Sequence, residues 1–258
     1  MLSKPDLDDL QYARSLLEDP SLAVRITNAL GIPIEQAIEL LPRKAAVAIT
    51  TATRASLNKA LQVAVATMDG CPQSDSRNTL HKLAVAAIGA GGGAFGLPAL
   101  TIELPVSTVI ILRSIADIAR SEGERIKTVE AKLACLEVFA MGGRSKDDDG
   151  SESAYFAVRT ALARAVSEAA RHITERGLAQ EGAPAIVRFI TRVAAQFKVI
   201  VSEKAAAQSV PLIGAGGAAL INTLFIDHFQ GMARGHFIVR RLERNYDPQL
   251  IKKEYLRI

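Results

Sequence analysis

The sequence predicts an all-α protein, and three observations carry this prediction. Apolar residues recur at the helical period in one segment after another, as in Leu7, Leu10, Ala13 and Leu17. Prolines precede or open these segments, and glycines follow several of them, as helix termini favour. Convincing strand alternation is missing, with only a short β-branched run at 197–201. We therefore predict a single-domain, multi-helix bundle.

The helices of the first hundred residues have recognisable boundaries. Ser3 is a candidate N-cap, Pro5 suits the first turn, and Asp6 complements the helix dipole. Short helices are expected after Pro20 and Pro33, followed by an alanine-rich helix over residues 44–68. Turn-forming residues at 69–76 end that helix.

The later helices are bounded in the same way. Pro105 is expected in the first turn of a new helix that ends at Gly123, and Thr128 is expected to cap the next one. Helices are also predicted for residues 155–176, after Pro184, over 212–243 and after Asp247. The polar run between them, at 144–153, is expected to be a solvated loop.

Length and composition favour one domain. The 258 residues, 49% of them hydrophobic, are enough for a single large core. We expect an N-terminal helical part at 1–80, a core region at 83–244 and a short C-terminal helix at 245–258. Neither Cys71 nor Cys135 has a neighbouring Cys or His, so neither is expected to bind metal. Acidic residues near the start stand where an export signal needs an apolar core, which favours the cytoplasm.

Two glycine-rich stretches that are nearly free of charged residues organise the chain. The first, 83–112, carries one charged acid, Glu103, before Arg113 follows it, and the second lies between Lys204 and Asp227. Both contain Ile-Gly-Ala-Gly-Gly. The residues singled out for lipid or membrane contact are Gly89, Gly92, Gly93, Phe95, Gly96, Gly214 and Gly217.

Three interpretations of these stretches differ in what they require. Residues 91–96 match G-x-G-x-x-G, but the preceding segment has helical composition where a dinucleotide fold needs a strand. No cofactor is therefore predicted. Glycines spaced by four favour close helix packing. Both stretches have the length of a membrane span, although their glycines and prolines fit a re-entrant hairpin or a buried core pair better.

Candidate chemistry is sparse. Glu103 is costly to bury alone, so we expect it to pair with Arg113 or a late arginine, with proton transfer or metal binding as alternatives. An i,i+4 ion pair is also expected between Arg113 and Asp117. The weak catalytic candidates are Glu103, Asp227, His228 and His236. A metal-assisted hydrolase or peptidase would need all four in one cleft, and the sequence favours a role without catalysis.

Positive charge is concentrated near the C-terminus. The residues are Arg234, Arg240, Arg241, Arg244, Lys252, Lys253 and Arg257. Such a cluster can contribute about 1 kcal/mol per residue of attraction to an anionic membrane. The chain has no nucleic-acid recognition motif or aromatic stacking surface, so no nucleic-acid partner is predicted.

Three segments resemble the EcsC protein family. They are GAGGGAFGLPALTIELPVSTVIILRSIADIARSEGE from Gly89, LACLEVFAMGG from Leu133, and VSEKAAAQSVPLIGAGGAALINTLFIDHFQGMARGHFIVRRLER from Val201. The resemblance implies a mostly helical, membrane-associated protein that supports a transport or envelope process. It implies no established activity, although some relatives carry a peptidase label.

The leading hypothesis combines the residues with this resemblance. We expect a cytoplasmic protein that associates peripherally with the inner membrane and its anionic phospholipid, or that holds a lipid in an apolar groove formed by the two glycine-rich stretches. A membrane protein complex is a further expected partner. The alternatives are the metal-assisted hydrolase and a soluble helical scaffold protein.

Overall fold

The computed structural model describes residues 2–18, 21–31, 33–68, 97–143, 153–178, 183–210 and 214–258. Throughout these ranges the regular structure is helical, which confirms the all-α prediction. The helices are α1 (Lys4–Leu17), α2 (Leu22–Leu30), α3 (Ile34–Glu39), α4 (Arg43–Thr67), α5 (Leu97–Ser121), α6 (Val129–Glu137), α7 (Ala154–Arg176), α8 (Pro184–Gln208), α9 (Gly214–Asn245) and α10 (Pro248–Arg257). A 3-10 turn, Val138–Ala140, continues α6.

Local capping explains several helix boundaries. The Ser3 hydroxyl accepts from the backbone N–H of Asp6, and the Thr128 hydroxyl accepts from that of Ala131. Asp247 caps α10 in the same way. Gly177 ends α7 with a φ of 68°, a conformation that a side chain disfavours. The caps at Ser3 and Thr128 and the end at Gly177 were predicted and are confirmed.

Pro105 lies inside a helix, which corrects the predicted start. Helix α5 begins at Leu97 and continues through Pro105 to Ser121. An interior proline removes one backbone hydrogen bond and costs about 3 kcal/mol. The helix continues because it is held by tertiary packing on both sides of the proline, including fully buried Leu104 and Leu112. Packing likewise places the β-branched run at 197–201 in α8.

The long helices α4, α5 and α9 run in the same direction. Three contacts fix the alignment of α5 and its following turn with α9: Glu103 with Asn222, Ser114 with Gln230, and Glu124 with Arg240. Helix α4 packs along α5, and its C-terminal Met68 carbonyl accepts from Arg120 near the C-terminal end of α5. The N-terminal ends of these three helices therefore share one end of the bundle.

Helix α1 packs unusually closely on α9. A Cβ added at Gly235 would lie 2.7 Å from Leu17 Cγ and 2.9 Å from the Ala13 carbonyl oxygen. One turn earlier, a Cβ at Gly231 would meet Leu16 at 3.9 Å. The glycine pair thus lets the two helices approach, in the manner of a G-x-x-x-G contact.

The core between α6, α8 and α9 is aromatic. Phe139, Phe197, Phe225 and Phe229 are fully buried, and their neighbouring ring centroids lie 5.0 to 6.2 Å apart. These edge and tilted contacts are favourable geometries for aromatic pairs. They hold α9 in place along the middle of the bundle.

Candidate functional site

The described parts of the two glycine-rich stretches meet at a buried carboxylate. Glu103 on α5 accepts from Lys204 Nζ at 2.6 Å and from Asn222 Nδ2 at 2.8 Å, with Gln208 Nε2 further away at 3.4 Å. Glu103 is 4% exposed and Lys204 is 0% exposed. The isolated acid of the first stretch therefore forms an ion pair with the lysine that precedes the second.

Lys204 replaces the partner expected for Glu103. Arg113 is exposed on the same helix, about 15 Å further along the axis at 1.5 Å per residue. Burial lowers the pKa of Lys204, while the adjacent Glu103 carboxylate favours its charged form. The ammonium also lies 4.5 Å from the centroid of the Phe225 ring, a cation–π contact. Asp117, the other residue expected to pair with Arg113, has an ion pair with Arg120.

Apolar side chains are exposed at the end of the bundle where this pair lies. Ile102 and Val106 flank Glu103 on α5 and are 76% and 48% exposed. Leu220, two residues before Asn222, is 37% exposed, and Val47 near the N-terminal end of α4 is 68% exposed. We call these four side chains the apolar end. No helix in the described ranges combines the length and apolarity that crossing a membrane requires.

The predicted glycine contacts are only partly within the described residues. Gly89, Gly92, Gly93, Phe95 and Gly96 lie outside them. Gly214 begins α9, and Gly217 is half-buried in its first turn. A Cβ at Gly216 would have nothing within 4 Å, so the second stretch shows no tight packing there. The close glycine contact of α9 is at Gly235 instead.

His228 is a packing residue. A Cβ at Gly142 would lie 2.5 Å from its ring atoms Cε1 and Nε2, and Gly142 has a φ of 77°, so only glycine fits beneath the ring. Burial, with a smaller effect from Arg25, lowers the pKa of His228 to about 4. The imidazole is therefore neutral at pH 7. Its neighbour Asp227 is half-buried.

His236 belongs to a different polar network. A 3.0 Å hydrogen bond joins its Nδ1 to the Tyr155 hydroxyl, which also accepts from Arg159 at 3.3 Å. Arg159 forms two hydrogen bonds with Glu243, of 2.8 and 2.9 Å. Burial and the charges of Arg159 and Arg240 hold the pKa of His236 well below its ordinary value. This network links α7 to α9.

Comparison with known proteins identifies the family. The model of the EcsC protein family matches residues 17–242. The chain belongs to the EcsC protein family. The match includes most of the N-terminal part, where the sequence resemblance rested only on helical, alanine-rich composition. No curated protein and no solved structure matches the chain.

The four weak catalytic candidates of this EcsC-family protein do not share a site. Glu103 contacts Asn222, and His236 lies about 21 Å further along α9, fourteen residues at 1.5 Å each. His228 and His236 are themselves about 12 Å apart along the axis. Within the part of the chain that the structure describes, no group of three His, Cys, Asp or Glu residues could hold a metal ion. The four residues therefore do not form the single cleft that the hydrolase alternative would require.

The late arginines lie at the opposite end of the EcsC-family bundle from Glu103. Arg240 and Arg244 both bind Glu124, and Arg241 binds Asp9 and Glu122. Burial raises the pKa of Glu122, against the opposing charges of Arg241 and Arg234. Arg240 is about 27 Å along α9 from Asn222. These arginines therefore connect helices, and a flat membrane that lies across the apolar end, perpendicular to the bundle axis, would not reach them.

Two features were missed at the sequence level. Glu103 is the only charged residue within the first stretch, and Lys204 is the last charged residue before the second. Their opposite charges could have indicated that the two residues pair. The Gly231–Gly235 spacing was also visible but lay outside the uncharged stretches.

Proposed function

We propose that this protein associates peripherally with anionic membrane through the apolar end. The observation that carries the proposal is the exposure of Val47, Ile102, Val106 and Leu220 on three helices that share one end of the bundle. Neighbouring apolar side chains that remain in water typically mark an interaction surface. The surface we propose is the cytoplasmic face of the inner membrane, with a membrane protein complex as a further partner.

The position of the glycine-rich stretches supports this orientation. Helix α5 begins at Leu97, within the first stretch, and helix α9 begins at Gly214, within the second. Both helices therefore begin at the end that exposes Ile102 and Leu220. The described parts of both stretches and the exposed apolar side chains thus occur together, which is the distribution expected of a membrane-facing end.

Basic residues at the same end supply the preference for anionic lipid. Arg43 and Lys44 open α4 and are exposed one turn before Val47. Each contributes about 1 kcal/mol near an anionic surface, and burying the exposed parts of four aliphatic side chains contributes about 1 kcal/mol each. The total of about 6 kcal/mol corresponds to reversible, peripheral binding.

Vesicle flotation tests the proposal directly. The protein is expected to float with phosphatidylglycerol-containing vesicles and to stay largely at the bottom with neutral phosphatidylcholine vesicles. Ile102→Glu with Val106→Glu should abolish flotation, because two charges would have to leave water. Val187→Glu is the matched control, since Val187 is 47% exposed near the opposite, N-terminal end of α8.

The charge contribution has its own pair of variants. Arg43→Glu with Lys44→Glu should reduce binding to anionic vesicles, whereas Lys253→Glu, on the distant α10, should not. The proposal is wrong if the wild-type protein stays at the bottom with anionic vesicles and native mass spectrometry finds no bound lipid. It is also wrong if Val187→Glu is as damaging as the double variant.

A further inference from the structure

A cleft lies at the other end of the bundle from the apolar end. It is formed by the end of α6, the first half of α7, the C-terminal part of α9 and the start of α10. Its volume of about 410 Å³ is within the usual range of small-molecule sites. Three neutral polar side chains, Thr160, Ser167 and Gln249, are exposed in its lining. The cleft therefore has the size and the mixed lining of a site for a small polar molecule.

The positive side chains of the lining already have partners. Arg159 forms two hydrogen bonds with Glu243, and Arg240 forms an ion pair with Glu124. Lys252 is engaged in a cation–π contact with the aromatic wall. Because both guanidinium groups are paired with carboxylates, the cleft holds no arginine that is available to an anionic ligand.

Glu137 differs from the other charged residues of the lining. It is 7% exposed, and none of the described residues forms a hydrogen bond or a salt bridge with its carboxyl group. Its oxygens are not among the fully buried side-chain atoms that lack a partner, so the carboxyl group reaches the cleft. Buried carboxyl groups are usually hydrogen-bonded, and a ligand in the cleft can supply the contact that the chain does not.

The protonation of Glu137 limits the kind of ligand that suits it. Burial raises the pKa of Glu137 to about 7, against the opposing charges of Arg159 and Arg240. At pH 6 the group is therefore mostly protonated. A protonated carboxyl group presents an O–H donor beside a carbonyl acceptor, and a primary amide presents an N–H donor beside a carbonyl acceptor. The two groups are complementary and can form two hydrogen bonds side by side.

Small apolar side chains complete the lining. Ala163 and Val166 lie on α7, and Pro248 begins α10. Ala163 and Pro248 are exposed, and Val166 is half-buried. A short apolar group of a ligand can therefore pack on them without displacing a core residue.

We propose that this cleft binds a small uncharged molecule with a primary amide, which forms hydrogen bonds with the Glu137 carboxyl group while its apolar part packs on Ala163, Val166 and Pro248. Charged ligands are disfavoured, because each would lose its hydration without gaining a free opposite charge. A carboxylate would find the arginines paired, and at pH 6 an ammonium would find Glu137 neutral. The site is separate from the apolar end and does not depend on the membrane proposal.

Saturation-transfer difference NMR with benzamide at pH 6 tests the proposal. Benzoate, benzylamine and acetophenone are controls of similar shape, of which the first two are charged and the third has no N–H donor. Benzamide should show saturable binding. Each control should bind at least about tenfold more weakly, because it loses hydration or hydrogen bonds that benzamide keeps.

Two pairs of variants locate the binding site. Glu137→Met should weaken benzamide binding about tenfold, because its hydrogen bonds are lost, whereas Glu137→Gln should keep binding through its own amide. Glu130→Met, exposed on the same helix and outside the lining, should change nothing. Ala163→Leu should weaken binding by filling the cleft, whereas Ala157→Leu, exposed on α7 outside the lining, should not.

Each contrary result overturns the proposal. Absence of saturable benzamide binding at pH 6 would mean that only water occupies the cleft. Equally tight binding of benzoate or benzylamine would exclude the preference for an uncharged amide. Unchanged binding in both Glu137→Met and Ala163→Leu, or equal losses in these variants and in Glu130→Met and Ala157→Leu, would place benzamide elsewhere on the protein.

Discussion

The buried pair of Glu103 and Lys204 should be strongly coupled. Lys204→Met leaves the Glu103 carboxylate, which is 4% exposed, with the amide donors of Asn222 and Gln208 but without the ammonium. Glu103→Gln leaves an ammonium that is 0% exposed beside the Phe225 ring. Removing one partner of a buried ion pair typically costs 3 to 5 kcal/mol, so we expect each single variant to lose about 3 kcal/mol of unfolding free energy.

The double variant separates the interaction from the cost of losing each side chain. Glu103→Gln with Lys204→Met buries no charge and keeps an amide oxygen that can accept from Asn222. Its loss should therefore be smaller than the sum of the single losses by about 2 kcal/mol or more. Urea denaturation followed by circular dichroism at pH 7 measures all three variants. The surface pair of Arg188 and Glu168 provides the matched cycle, with an expected coupling below about 1 kcal/mol.

Two results would refute this reasoning. Single variants that cost less than about 1 kcal/mol would mean that water or local rearrangement reaches the pair. Additive losses would mean that the two charges do not depend on each other. Flotation of the double variant with anionic vesicles then adds a functional test, because a purely structural pair predicts unchanged membrane binding once the protein is folded.

Two further predictions concern α9. Gly235→Ala should lower the unfolding free energy measured in urea by about 1 to 3 kcal/mol, because its Cβ would lie 2.7 Å from Leu17 Cγ. Gly216→Ala, whose Cβ would have nothing within 4 Å, should raise the unfolding free energy by up to about 1 kcal/mol. Equal effects of the two variants would contradict the α1–α9 contact. Burial lowers the pKa of His228 to about 4, against an ordinary 6.5. As the pH falls from 7 to 5, the unfolded chain therefore binds a proton at this residue and the native state does not, which lowers the unfolding free energy by about 2 kcal/mol. Burial raises the pKa of Glu137 to about 7, so this residue changes the unfolding free energy in the opposite direction over the same pH range. The measurement is therefore the pH dependence of the unfolding free energy in the wild type compared with that in His228→Asn. Identical pH dependences would contradict the assigned effect of His228.

The helices were predictable because their signals are local. A cap such as Ser3 acts within three residues, and the left-handed Gly177 ends α7 by its own backbone conformation. Pro105 was misplaced because its local preference for a first turn was overcome by contacts from other helices. That competition depends on the finished core, which the order of residues along one segment does not reveal.

The partners of the site residues were less predictable, because they depend on which helix faces meet. Glu103 could be recognised as a costly buried acid, but its pairing with Lys204 spans 101 positions of sequence. The network of Tyr155, Arg159, His236 and Glu243 is harder still, since its residues come from α7 and from the C-terminal half of α9. Each is unremarkable in its own segment, and only the antiparallel and parallel packing of those segments brings them together.

The parallel arrangement of α5 and α9 separates the apolar end from the late arginines. Asn222, beside the apolar end, and Glu243, paired with Arg159 near the other end, are 21 residues apart on one helix, or about 31 Å. A membrane that lies across the apolar end, perpendicular to the bundle axis, would therefore leave the arginine-rich end in water. Lys253→Glu and Val187→Glu should then leave flotation unchanged, whereas Ile102→Glu with Val106→Glu should abolish it. Equal effects of these variants would refute this orientation.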